Sequence, residues 1–357
     1  MKKIIPFAAL ALLAAGPQDR KSRPFDMGVT LMPHDMTMEG LATLFAFVNN
    51  HCDLISVKID GGIPWQEALD GRPYPEEVQK GLDEKVPKVE QKKVFISATP
   101  LNGDKNGPAP YAGVADFDPR FLAWKNRELD DPSLIRAYLA WCRSLIARYR
   151  PDYFAYAMEA NAVARHPQAW KKFLVFCKEI YVALKKENPT LPLFVTLNVE
   201  TAYEAEQVTI QRKAIAQVLG CSDLTALTCL PYVSQSNPAK LPKDYFSAMA
   251  ALAPGKPLAI TETAFLAEDL TVTGFERTGK VLWQQEYVKF LFAEAARLNA
   301  KLVVWMVPRD YDELWAKAGP LAPEFFKLFK DTGLLEGDGT PRKAFDVWQQ
   351  WFKLPRK

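Results

Sequence analysis

Histidine and cysteine are scarce in this chain, three and five among 357 residues. His34, His51 and His166 have no ligand-like spacing and no Cys-x-x-Cys pair occurs, which argues against a zinc site. The five cysteines are an odd number; Cys142 and Cys177 fall on helical stretches and Cys229 in an apolar run, the pattern of buried free thiols. An oxidising compartment would allow one disulfide, with no pair favoured by the sequence. Net charge is also low, +3 with no basic stripe, so neither nucleic acid nor an anionic membrane is an expected partner. No Gly-rich phosphate loop follows an early strand, and no Ser/Gly-rich linker divides the chain.

Long apolar runs are missing too, except at the N-terminus. There, Lys2 and Lys3 precede "IIPFAALALLAA", followed by the small residues Ala14, Ala15 and Gly16. A charged start, an apolar stretch too short to span a bilayer comfortably and small residues at its end are the order of an export signal. Residues 1–16 are therefore expected to be a signal peptide, and the protein secreted or periplasmic. "LAAG" lacks the cysteine that lipid anchoring would need. The remaining chain, 17–357, is expected to be one domain and a monomer.

What is abundant is alternation. Eight apolar runs begin near residues 26, 53, 93, 153, 193, 224, 257 and 301, each almost continuous in hydrophobicity, as strands buried on both faces are. Helical patterns separate them, among them "EGLATLFAFVNNH", "DPSLIRAYLAWCRSLIARYR" and "PQAWKKFLVFCKEIYVALKKEN", the last with Pro167 near its start. "PEFFKLFKDTG" and "KAFDVWQQWF" read as the final helices. Eight βα units in unbroken rhythm predict the α/β class and a single (β/α)8 TIM barrel.

Barrel chemistry sits where the strands end. Just past the runs lie His34 and Asp35, Asp60 with Trp65, Asn102 and Asp104, Glu159 and Asn161, Asn198 and Glu200, Tyr232, Glu262, and Trp305 with Arg309 and Asp310. Carboxylates, amides and aromatics on one rim suit a carbohydrate: acids move protons, amides bind hydroxyls and flat rings stack on sugar faces. Glu159, in "YFAYAMEANA", and Glu262, in "PLAITETAF", each end an otherwise apolar strand. Such a pair across a barrel mouth can cleave a glycosidic bond, one as acid/base and one as nucleophile; the bland reading of each alone is a structural ion pair. Trp65 either covers the site or packs its loop, and Asp310 and Asp312 beside Arg309 read as a solvated loop pair.

The chain resembles the superfamily of retaining glycoside hydrolases whose acid/base ends strand four and whose nucleophile ends strand seven. The motifs are short: "PLAITETAF" at strand seven, "DLTALTCLPYV" at strand six, "LVVWMV" at strand eight and "TGLLEGDGTPRKAFDVW" near the end. In layout the endo-β-1,4-galactanase-like branch is nearest. The resemblance implies Glu159 as acid/base, Glu262 as nucleophile, Tyr232 bonded to that nucleophile and Trp305 as the floor of the sugar site. Asp60, Trp65, Asn102, Asn161 and Asn198 are the other expected substrate contacts, with no cofactor or metal. Two positions depart from the pattern: Met158 stands where an Asn precedes the acid/base, and Lys58 where an Arg steadies the nucleophile. Asn161 or Asn198 is left to supply the missing amide. The departures keep a second reading open, a glycan-binding barrel that cleaves slowly or not at all. A third, metal-dependent hydrolysis, has little support from three histidines.

Overall fold

Eight parallel strands close into a barrel: β1 (Asp26–Thr30), β2 (Leu54–Ile59), β3 (Lys93–Ala98), β4 (Tyr153–Ala157), β5 (Leu193–Asn198), β6 (Thr225–Cys229), β7 (Leu258–Thr263) and, after a small hairpin, β10 (Leu302–Trp305). Their order is β1-β10-β7-β6-β5-β4-β3-β2, with β1 paired to both β2 and β10. The hairpin strands β8 (Leu270–Val272) and β9 (Phe275–Arg277) are antiparallel and turn at Gly274, whose φ of 74° favours a residue without a Cβ. This is a computed structural model that describes residues 21–114, 118–319 and 323–357. The expected signal peptide, 1–16, lies outside the described residues.

Alternation along the strands separates two cores. Leu54, Phe95, Ala155, Phe194, Ala226, Ala259, Leu302 and Val304 pack together within the barrel, while their neighbours in sequence join a larger layer beneath the helices. Gly28 belongs to this close packing, because a Cβ there would meet Leu54 Cδ2 at 2.1 Å and its carbonyl at 2.7 Å.

The helices begin where their caps place them. Thr37 accepts from the Gly40 N–H to start Met38–His51, and Asp131 accepts from Ser133 and Leu134 to start Pro132–Tyr149. Pro167 opens Pro167–Glu187. Two stretches with helical patterns are shorter or tighter than expected: "KDYFSAMAALAP", after β6, contracts to Ser247–Ala250, and "PEFFKLF" forms the 3₁₀ turn Glu324–Phe329. All five cysteines are free, and only Cys221 is partly exposed. No helix among the described residues is long and apolar enough to cross a membrane.

Candidate active site

The strand ends are irregular where the chemistry was expected. Leu227 pairs with Ile260 and Thr228 with Glu262, so Thr261 is an extra residue on β7. Strict alternation from Ala259, an inner-face residue, would turn Glu262 outward; the extra residue turns it into the barrel mouth. Tyr156 is likewise extra on β4, where Ala155 pairs with Phe194 and Ala157 with Val195. The next turn carries Glu159 at φ 53°, ψ 43°, a left-handed conformation that costs a residue with a side chain of order 1–3 kcal/mol. Lys105 (φ 56°) and Val307 (φ 57°) adopt the same hand after β3 and β10. Among the described residues, three non-glycine residues with positive φ thus follow strands at this end of the barrel, and Gln91, Arg150 and Asn299 precede strands at the other.

A cleft of about 710 Å³ opens there, lined in part by Lys58, Asp60, Asn102, Lys105, Met158, Glu159 and Glu262. The Glu159 N–H donates to Thr196 Oγ1 at 2.9 Å, and its Oε1 accepts from Asn198 Nδ2 at 2.8 Å. Lys105 Nζ lies 3.5 Å from its Oε2. Asn198 is itself fixed: its Oδ1 caps the turn at Thr201 (2.8 Å), and its backbone N–H donates to Asn161 Oδ1 at 2.7 Å. Glu262 is nearly buried and ion-paired through Oε2 to Lys58 Nζ. Burial pulls the Lys58 ammonium down, but the charge and hydrogen bond of Glu262, with the charges of Asp60 and Glu159, outweigh it and hold the group above its ordinary value.

Of the expected contacts, Asp60, Asn102, Glu159 and Glu262 line the cleft, and Asn198 reaches it through Glu159. Asn102 spends its amide on the loop, donating to Asn106 Oδ1 at 2.7 Å. Four others lie elsewhere. Asn161 is fully buried and donates to the Asn198 carbonyl (3.0 Å) and Gln211 Oε1 (2.9 Å), so it sets the Asn198 backbone and leaves no amide for a ligand. Trp65 stacks on Trp124 with centroids 5.7 Å apart and donates to the Ala109 carbonyl, packing its loop. Trp305 points outward by the alternation of β10 and donates to the Thr332 carbonyl at 2.9 Å; Met306 faces the cleft in its place. Tyr232 is buried and donates to the Leu328 carbonyl at 2.8 Å, not to Glu262.

Asp310 also departs from expectation. It is buried, accepts from the Gly333 N–H at 2.7 Å, and pairs with Arg342 at 2.5 Å; burial pushes its carboxyl up to about 7. Oxygens of Glu268, Asp310 and Asp331 lie within 4.8 Å of one another, a spacing that could hold a cation. Arg342 bonds Glu268 and Asp310, and Lys330 bonds Asp331, so side-chain cations already serve this group. Glu200, bonded by the Tyr245 hydroxyl, is likewise raised to about 7 by burial. His34 sits 3.7 Å from Asp35 Oδ2, outside the cleft.

Sequence reading missed Lys105 and the aromatic edge of the cleft, Phe325, Phe326 and Phe329. The "GDKNG" turn around Lys105 signals a loop but not its direction, and "EFFKLF" reads as an ordinary buried helix face.

No protein-family model matches the sequence, and no curated protein matches it. Solved structures do resemble it in shape. The GH53 catalytic domain of Ignisphaera aggregans aligns with a TM-score of 0.58 at 16% identity, covering 94% of this chain and 97% of that one. A GH5_18 protein from Streptomyces cattleya, solved with Manβ1-4GlcNAc, gives 0.61 at 15% identity over 93% and 83%. Two fungal β-1,4-galactanases are represented by a chain at 0.56 and 13% identity over 92% and 100%. The chain has the (β/α)8 barrel fold of these glycoside hydrolases.

Proposed function

We propose that the protein is a retaining glycoside hydrolase acting on a poly- or oligosaccharide, with Glu159 as acid/base and Glu262 as nucleophile. The observation that carries this reading is the convergence of both glutamates, from β4 and β7, on one cleft. Glu159 protonates the glycosidic oxygen as Glu262 attacks the anomeric carbon; water then resolves the glycosyl-enzyme with Glu159 as base. Lys58 pairs with the attacking carboxylate and holds it in place, and the Asn198 amide orients Glu159. No cofactor takes part. The similar structures include β-1,4-galactanases and a protein solved with Manβ1-4GlcNAc, so β-1,4-linked glycans are the first substrate class to try. The apolar N-terminal segment supports export, with the enzyme working outside the cytoplasm.

One observation favours the second reading, a glycan-binding barrel. The cleft presents Met158 where an amide would grip the sugar, and a lysine accompanies each glutamate. A panel of polysaccharides and aryl glycosides separates the two. The hydrolase reading requires product from at least one substrate and loss of that product with Glu262→Ala. Glycan bound without product by the wild-type protein supports the binding barrel instead.

A further inference from the structure

Phe325 and Phe326 are 55% and 37% exposed, and they are the two aromatic side chains among the strongly exposed large hydrophobics of the described residues. Both lie on the cleft that holds Glu159 and Glu262. Their rings stack with centroids 4.3 Å apart and planes 26° off parallel, and Phe329 extends the same edge. Exposed aromatic area of this kind costs free energy in water unless something covers it.

The segment that carries them is held from several sides. The buried Tyr232 donates its hydroxyl to the Leu328 carbonyl at 2.8 Å, and Tyr311 donates to the Phe326 carbonyl. Thr273 of the hairpin donates its N–H and hydroxyl to Glu324 at 3.2 and 2.7 Å, and the Thr332 hydroxyl donates to the Phe329 carbonyl at 2.9 Å. Four separate parts of the chain thus fix a 3₁₀ turn whose two most exposed rings face the cleft of the two glutamates. A ring held open in advance loses little freedom when a ligand covers it.

We propose that Phe325 and Phe326 form a stacking platform for a pyranose ring of a β-linked chain, at a subsite beyond the cleavage point. The inference rests on the reading of the cleft as a glycan site. A pyranose presents C–H bonds on its faces and hydroxyls at its edge, so one ring can meet the outer face of the stacked phenyl pair while its hydroxyls turn to Asp60 or Lys85 along the cleft. The two tyrosines act as positioning residues for the platform. Neither tryptophan expected to stack on sugar does so, because Trp65 and Trp305 are buried in the packing around the strands.

The test uses β-1,4-galacto- and β-1,4-manno-oligosaccharides of two to six units, with affinity measured by calorimetry on the full chain carrying Glu262→Gln. Adding Phe325→Ala and Phe326→Ala should weaken the longest bound oligosaccharide about 10-fold and leave the disaccharide within about 2-fold. Phe325→Trp should restore most of the lost affinity. Equal affinities for every length in parent and variant would overturn the platform, as would equal losses at every length or no binding by the parent. Hydrolysis is scored separately in the Glu262 background. Length-dependent binding without hydrolysis sinks the cleavage reading and keeps the platform; hydrolysis with unchanged length dependence does the reverse.

Discussion

The two ends of the barrel use the same residue types to opposite effect. At the N-terminal end Asp26 is fully buried, paired with Lys93 at 3.0 Å and Arg356 at 2.7 Å, and accepts the Tyr153 hydroxyl at 3.0 Å. Nearby, Arg23 grips Asp53 through two hydrogen bonds of 2.7 and 2.9 Å. At the C-terminal end Glu262 meets Lys58, and Glu159 lies by Lys105, but both pairs border an open cleft. The lower network links β1, β3, β4 and the chain's C-terminus, so its charges serve cohesion. The upper pairs border room for a ligand, and Glu159 and Lys105 sit on left-handed backbone, so their charges are available for chemistry.

That contrast can be broken at either end. Asp26→Asn strips Lys93 and Arg356 of their shared carboxylate; stability should fall by about 2–4 kcal/mol, less than a sealed pair would lose because both cations are a third exposed. Denaturant unfolding measures it, and the activity of the molecules that remain folded should not change. Lys58→Met removes the cation from Glu262, and kcat should fall about 10²-fold with KM little altered. A loss of stability with kcat intact would place Lys58 with the lower network instead. Lys58→Arg keeps the charge while changing its geometry, and its kcat should stay within about 10-fold of wild type.

The sequence made the barrel legible because doubly buried strands announce themselves as apolar runs, and all eight appear in the order expected. It also led to the two glutamates, since a carboxylate at the end of such a run is conspicuous. What aimed them was hidden. The extra residues at Tyr156 and Thr261 are defined only by pairing with β5 and β6, and nothing in "YFAYAM" or "LAITET" reports a register shift. Trp305 illustrates the same limit: the resemblance of "LVVWMV" to strand eight made it a floor for the sugar, yet strand parity turns it outward. Asp310 read as solvated because its neighbours in sequence are polar, but the residue that buries and pairs it, Arg342, is remote in the chain. The Phe325–Phe326 edge was misread for the converse reason. Apolar residues at helical spacing ordinarily face a core, and donors remote in the chain, among them Tyr232, Tyr311 and Thr273, hold these outward.

The central claim is that Glu159 and Glu262 divide acid/base and nucleophilic work across one cleft, and azide rescue of Glu159→Ala tests it most directly. On an activated β-aryl glycoside that the wild-type protein cleaves, the variant still forms the glycosyl-enzyme on Glu262 but cannot activate water. Added azide needs no base, so turnover should rise with azide concentration and yield the β-glycosyl azide, identified by NMR. An α-azide, an absence of rescue, or wild-type turnover by Glu159→Ala alone would contradict the assignment.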